Sequence, residues 1–290
     1  MTAGAIPPAT SAGPATGRLE RTFAALASAG RKALIPFITA GDPSLEATVP
    51  VMHALVGAGA DVIELGVPFS DPMADGPTIQ RSSERALARG AGMAWVLEAV
   101  RRFRDRDGDT PVVLMGYLNP VEIRGAAGFA RQAADAGVDG MLLVDLPPEE
   151  APEFREAFAA HGVALVLLAS PTTPDARLAL LLANARGYLY YVSFAGVTGA
   201  SERLDPAAAA THMRRIRADS PVPVVAGFGI RDAASAAAMA RDADGVVVGS
   251  ALVAAMAQAP DAAEAARRAA AFLAPLRAAG LSNSVVAQLK

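Results

Sequence analysis

Residues 60–80 read ADVIELGVPFSDPMADGPTIQ, and the fold follows from what this stretch has to do. It begins as an apolar strand with a carboxylate, Glu64, in its middle. It then breaks into a loop of glycine, proline and aspartate and reaches a helix start near Thr78. Successive side chains of a strand point to opposite faces. Val62, Glu64 and Gly66 therefore share one face, and Ile63 and Leu65 the other. A charge on either face of a doubly covered strand is costly unless it meets a cavity, a partner or water. Gly66 leaves a space where a side chain would otherwise pack. Glu64 has two readings on this basis. It is a general acid/base at the mouth of a pocket, with its pKa raised by partial burial, or it is a structural ion pair or solvated strand end.

The pattern recurs on both sides of this stretch. Short apolar strands are expected at 33–38, 62–65, 112–115, 140–144, 164–168, 188–192, 222–226 and 245–248. Each leads through a glycine- or proline-marked loop into an alanine-rich helix. Helical patterns lie at 19–29, 45–57, 78–106, 125–136, 149–160, 175–184, 206–217 and 233–241, with two more at 251–257 and 262–279. The strands are continuous apolar runs, as expected where both faces are covered. Eight such units close most economically into a single-domain (β/α)8 TIM barrel with extra helices, for which 290 residues is a usual length. The long interval after the second strand calls for an additional helix. A doubly wound open sheet is the alternative, because local pattern does not show closure. Residues 1–17 carry almost nothing to bury and are expected to form a disordered tail, with the barrel domain spanning 18–290.

Composition narrows the function. Hydrophobic residues make up 52%, ample for a sizeable core. A net charge of -3 predicts no attraction to nucleic acid or anionic membranes. The absence of cysteine removes disulfides, thiolate metal sites and a cysteine nucleophile. No apolar run is long enough to span a bilayer, and none precedes the first positive charge, Arg18, so no secretory signal is expected. A soluble, cytoplasmic protein is the expectation.

The loops at the C-terminal ends of barrel strands form the active face. Thr39, Gly41 and Asp42 follow the first strand and the 71–75 segment follows the second. Tyr117 and Asn119 follow the third, Asp145 ends the fourth, and Tyr190 and Tyr191 end the sixth, ahead of Gly196-Val197-Thr198-Gly199. Gly227-Phe228-Gly229 follows the seventh strand and Gly249-Ser250 the eighth. The last two segments and Gly199 favour a phosphate, because glycines at a helix start let backbone N–H groups approach an anion. Taken singly, each glycine is an ordinary turn and Ser250 an ordinary N-cap. Asp75 is a second carboxylate facing the ligand, or an Asx-turn or helix-dipole residue. Asp42 and Asp71 fit turns beside prolines. His53, His161 and His212 lie in or at the end of helices, and no histidine triad or metal-ligand spacing is present. The arginines of Arg101-Arg102-Phe103-Arg104 and Arg267-Arg268 read as solvated helix faces.

These residues carry a resemblance. The segments LIPFITAGDP at 34–43, ELGVPFSDP at 64–72 and ADGPT at 74–78 match, in order, the tryptophan synthase α-subunit family. So do GVTG at 196–199, GFGI at 227–230 and GVVVGS at 245–250, and the likeness runs from about Leu19 to the C-terminus. The resemblance implies a (β/α)8 lyase that cleaves indole-3-glycerol phosphate to indole and glyceraldehyde 3-phosphate, without metal or organic cofactor. By family convention it counts among the carbon–oxygen lyases. The family's catalytic carboxylates fall on Glu64 and Asp75. Tyr190 matches a tyrosine close to the catalytic glutamate, and Phe37 and Phe228 match pocket positions. Gly199, Gly229, Gly249 and Ser250 match phosphate contacts, and Thr198 sits on the family's closing loop. Met115 stands where other aliphatics are common. The family also implies a partner, a pyridoxal-phosphate β subunit in an α2β2 complex, docked near residues 69–78 and Asn119-Pro120. The alternatives are a stand-alone lyase that releases free indole, a barrel kept chiefly as a binding partner, and another phosphosugar enzyme. The last lacks its usual lysine or histidine at a strand end.

Overall fold

The computed structural model describes residues 17–192, 206–227, 229–279 and 281. Helix α1 (Arg18–Ser28) precedes strand β1 (Ala33–Thr39), and a 3-10 turn (Leu45–Ala47) leads into α2 (Thr48–Gly57). Then come β2 (Ile63–Gly66), α3 (Pro77–Ala88), α4 (Met93–Arg104), β3 (Val112–Gly116), α5 (Leu118–Glu122) and α6 (Ala126–Ala136). The chain continues with β4 (Gly140–Leu143), α7 (Pro152–Ala160), β5 (Ala164–Ala169), α8 (Asp175–Asn184) and β6 (Leu189–Val192). It ends with α9 (Pro206–Asp219), β7 (Val224–Gly227), α10 (Ala233–Ala240), β8 (Gly245–Val248), α11 (Ser250–Met256) and α12 (Ala262–Ala278).

The eight strands are parallel and pair in chain order, and β8 pairs back on β1. The sheet is a closed (β/α)8 barrel, not an open doubly wound one. Strand boundaries agree with the sequence expectation to within one or two residues. The 78–106 pattern divides into α3 and α4 at Gly90, whose φ of 86° an L side chain rarely adopts. The short α5 has no counterpart among the expected helices, because five residues carry too little periodicity to register.

Strand alternation sorts the core into two layers. Ile35, Phe37, Val62, Val113, Leu142, Val166, Tyr188, Tyr190, Val225 and Val247 fill the barrel interior together with Glu64. Ile38, Ile63, Leu65, Leu114, Met141, Leu165, Tyr191 and Val246 face the surrounding helices. Val62 and Ile63 fall on opposite sides, as the alternation requires. Leu19, Phe23 and Leu26 of α1 join the interior layer and close the barrel floor.

Two readings of the sequence need correction. The space left by Gly66 is not empty: a Cβ there would lie 2.5 Å from Phe37 Cζ, so the glycine makes room for the Phe37 ring. Arg104 is not on a solvated face. It is largely buried and donates to the carbonyls of Gly137 (2.9 Å), Asp107 (3.1 Å) and Thr110 (2.7 Å) and to Asp139 Oδ2 (2.7 Å). Arg101 and Arg102, its neighbours in the run, are exposed.

Candidate active site

Glu64 lies near the C-terminal end of β2, with Phe37 and Val113 as its partners on the adjoining strands. Its relative exposure is 0%, so it sits one residue pair below the mouth of the barrel and not at the mouth itself. Gly66, two residues on along the same face, occupies the mouth position. The Glu64 carboxylate accepts a hydrogen bond from the Tyr188 hydroxyl at Oε1 (3.0 Å). Its Oε2 is buried with no hydrogen-bond partner among the described residues. Burial pushes the Glu64 pKa up to about 7, opposed by the hydrogen bond from Tyr188. A carboxylic acid poised near neutrality can give and take a proton at physiological pH.

Tyr188 is the residue that the reading of the sequence missed. The tyrosine hydrogen-bonded to Glu64 is Tyr188, while Tyr190 makes no hydrogen bond to it. Both lie on the inward face of β6, because they are two residues apart. That spacing was the available signal. Tyr190 is buried and is held well above the usual phenol range by burial and by the nearby charges of Glu64 and Asp75. Its ring lies against Gly227, where a Cβ would collide with the hydroxyl. Tyr190 is therefore close enough to both carboxylates to feel their charge.

Asp75 lies in the loop between β2 and α3, immediately before Gly76, the N-cap of α3, and Pro77, its first residue. It is half-buried and accepts a hydrogen bond from the Tyr117 hydroxyl at Oδ2 (3.0 Å). Burial raises its pKa above the ordinary aspartate value, with Tyr117 acting in the opposite direction. A small cleft at the barrel mouth is lined by Asp75, Phe37, Thr39, Gly66, Met115, Tyr117 and Val144, among others. A wider cleft shares Val144 and continues past Leu168 and Val192. The wider cleft also carries Asp145, Ser170 and Arg177, while the carboxylate of the smaller cleft is Asp75.

The glycine end of the site is built from β7 and β8. Gly229 adopts φ +73° in open space. Gly249 is the N-cap of α11, and Ser250 begins that helix exposed. Ser250 is thus the first residue of the helix and not its N-cap. Thr198, Gly199 and Phe228 lie outside the described residues.

Other expected positions take structural roles. Asp42 is buried and forms a two-pronged ion pair with Arg85 of α3 (2.7 and 2.9 Å), more than the turn expected of it. Asp145 accepts from the Leu118 backbone N–H (2.7 Å), and Asn119 is exposed on α5. His212 meets the outward-facing Tyr191 hydroxyl through Nδ1 (3.2 Å). Among the described residues no group of three histidine, aspartate or glutamate side chains is placed to hold a metal ion, and no helix is long and apolar enough to cross a membrane.

Comparison with known proteins points to one family. Residues 23–280 match the family model described as tryptophan synthase alpha chain. The tryptophan synthase alpha chain of Xanthomonas oryzae pv. oryzae (strain PXO99A) is 72% identical over 262 residues, covering 90% of this chain and 98% of the relative. That of Xanthomonas campestris pv. campestris (strain 8004) is 70% identical, covering 90% and 96%. Among solved structures, tryptophan synthase subunit alpha from Legionella pneumophila str. Paris superposes with a TM-score of 0.85 at 46% identity, covering 91% of this chain and 98% of that one. A chain of Mycobacterium tuberculosis tryptophan synthase gives 0.81 at 39% identity, covering 92% and 99%. On the strength of that match over most of its length, the chain belongs to the tryptophan synthase alpha chain family.

Proposed function

We propose that Glu64 and Asp75 are the working pair of a lyase that cleaves indole-3-glycerol phosphate into indole and D-glyceraldehyde 3-phosphate. The reaction belongs to the last steps of L-tryptophan biosynthesis, and the chain is a lyase of that pathway. Cleavage is a retro-aldol step, so indole C3 must gain a proton before its bond to the glycerol chain can break. Protonated Glu64 supplies that proton, which leaves an indolenine with positive charge on the ring nitrogen. Asp75 accepts the hydrogen bond from the indole N–H and stabilises this charge. The Glu64 carboxylate then removes the proton from the hydroxyl on the carbon next to the ring. The carbon–carbon electron pair returns to the ring, and indole and the aldehyde are released. One group makes both transfers, which suits a pKa near neutrality.

The observation that carries this reading is a fully buried carboxyl with one unpartnered oxygen, below a cleft that a second carboxylate lines. In the same reading Phe37, Tyr190 and Phe228 enclose the indole, and Gly199, Gly229, Gly249 and Ser250 bind the phosphate with Thr198 nearby. The exposed Gly229 and the glycine at the start of α11 support an anion there. No metal or organic cofactor is needed in this chain, and pyridoxal phosphate belongs to a β subunit. Met73 in the β2–α3 loop (74% exposed) and Ile123 after α5 (79% exposed) offer apolar surface at that end of the barrel, which supports a docked β subunit in a cytoplasmic α2β2 complex. Of the tail expected at 1–17, only Gly17, the N-cap of α1, falls among the described residues. The test is release of indole from indole-3-glycerol phosphate by wild type and Glu64→Gln. Glu64→Gln is expected to lose turnover by several orders of magnitude, and equal turnover by both would end the assignment.

A further inference from the structure

Tyr117 stands where β3 passes into α5 and reaches back to the loop that carries Asp75. Its place is fixed from three sides. Asp145, from the β4–α7 connection, accepts from the N–H of the next residue, Leu118 (2.7 Å). Phe69 of the β2–α3 loop stacks on the Tyr117 ring at 5.1 Å between centroids and 26° between planes. The hydroxyl donates to Asp75 Oδ2 and accepts from the Ala74 N–H, both at 3.0 Å. A phenol has one proton to give, and here it goes to the carboxylate. Asp75 Oδ1 is left with no hydrogen bond among the described residues. The loop is also tied from α3, where Gln80 Nε2 donates to the Asp75 carbonyl (2.9 Å).

We propose that Tyr117 is a positioning residue for the lyase reaction: its hydroxyl orients the Asp75 carboxylate so that Oδ1 faces the indole nitrogen, and pins the adjoining backbone in the same step. This rests on the role given to Asp75 above. The Ala74 N–H and the Asp75 carboxylate share one hydroxyl at the end of the neighbouring β3, so the group that orients the carboxylate also anchors the backbone just before it. The charged and titratable groups around Asp75 are Tyr117 itself, Asp145 behind it, and Tyr190 on β6, which faces Glu64 as well. Of these, only Tyr117 donates to Asp75.

The test uses the full chain with its β partner and measures kcat and KM for indole-3-glycerol phosphate across pH. Tyr117→Phe keeps the ring that stacks on Phe69 and removes only the hydroxyl. The expected result is a fall in kcat of roughly ten- to a hundredfold, the scale of one hydrogen bond to a charged group, with KM changed far less. Without the donor, burial acts on Asp75 unopposed, so the acid limb of the pH profile moves to higher pH while the alkaline limb, set by Glu64, stays. 3-Fluorotyrosine at position 117 retains both contacts and donates more strongly, so its acid limb moves the other way. An acid limb unmoved by both replacements overturns the proposal, whatever happens to kcat. Asp75→Asn separates the two levels: full activity there removes the role of Asp75 itself. Loss of activity in Asp75→Asn with wild-type profiles at position 117 removes only the role of Tyr117.

Discussion

Burial of Glu64 costs stability, and under the proposed function the same burial supplies the chemistry. Its pKa in the folded chain, about 7, lies above the ordinary glutamate value because the carboxylate is dry. The folded state therefore binds more protons than the unfolded one between those two values. Stability falls as pH rises through this window and stays reduced above it, by about 3 kcal/mol once the group is ionised. Glu64→Gln carries no charge at any pH. In urea titrations it is expected to match wild type near pH 5 and to become the more stable protein at pH 8. A gap that fails to open with pH would show that the carboxyl is not held dry. In the proposed reaction turnover moves the same way with pH, since the first proton transfer needs the acid form of Glu64: wild-type kcat/KM is expected to decline as pH rises past about 7. Glu64 and Asp75 were legible in the sequence because each interrupts a pattern, one an apolar strand and the other a Gly-Pro helix start. Tyr188 was not, because a tyrosine in a buried strand breaks no rule. Only its even spacing from Tyr190 put it on the inner face.

At the scale of the elements, the end of the barrel opposite the site repeats one device. Asp61, Asp139 and Asp244 each stand just before a strand, β2, β4 or β8. Each accepts an N–H from the first or second residue of a neighbouring strand: Leu34 (2.8 Å), Val112 (2.8 Å) and Val224 (3.0 Å). Each also pairs with arginine from an outer helix, respectively Arg277, Arg104 and Arg217. One carboxylate thus ties two strands and a helix. Arg104 could not be told from its exposed neighbours, since a run of arginines says nothing about which of them turns inward; Asp139, far away in sequence, decides it. Asp139→Ala would strand a buried guanidinium and orphan the Val112 N–H. The expected loss in a denaturation experiment is about 3–5 kcal/mol, with the active face intact in whatever fraction folds. Glu149→Ala, which breaks the exposed pair with Arg177, should barely move the midpoint. Equal shifts for the two variants would contradict the division between buried ties and surface pairs.

Taken as a whole molecule, the barrel separates a stabilising floor from a reactive mouth, and the interior column joins them. Eight strand–helix units were readable from periodicity, but closure was not, because it depends on β8 meeting β1 across the entire chain. The role of α1 was hidden for the same reason: its apolar positions suggested a helix and not the barrel interior they enter. Phe23 of α1 is buried, with its ring 5.8 Å from that of Tyr188, and Tyr188 holds Glu64. The floor is therefore two side chains away from Glu64, the proposed acid/base. Phe23→Ala opens a cavity there at a cost of about 3–5 kcal/mol. If the floor sets the dryness of the site, hydration from below lowers the Glu64 pKa toward its ordinary value, and the alkaline limb of the pH–rate profile moves to lower pH. Phe23→Leu, which refills most of the volume, should restore the limb. A Phe23→Ala enzyme that is less stable but keeps its alkaline limb near pH 7 would show that α1 supports the barrel without reaching its chemistry.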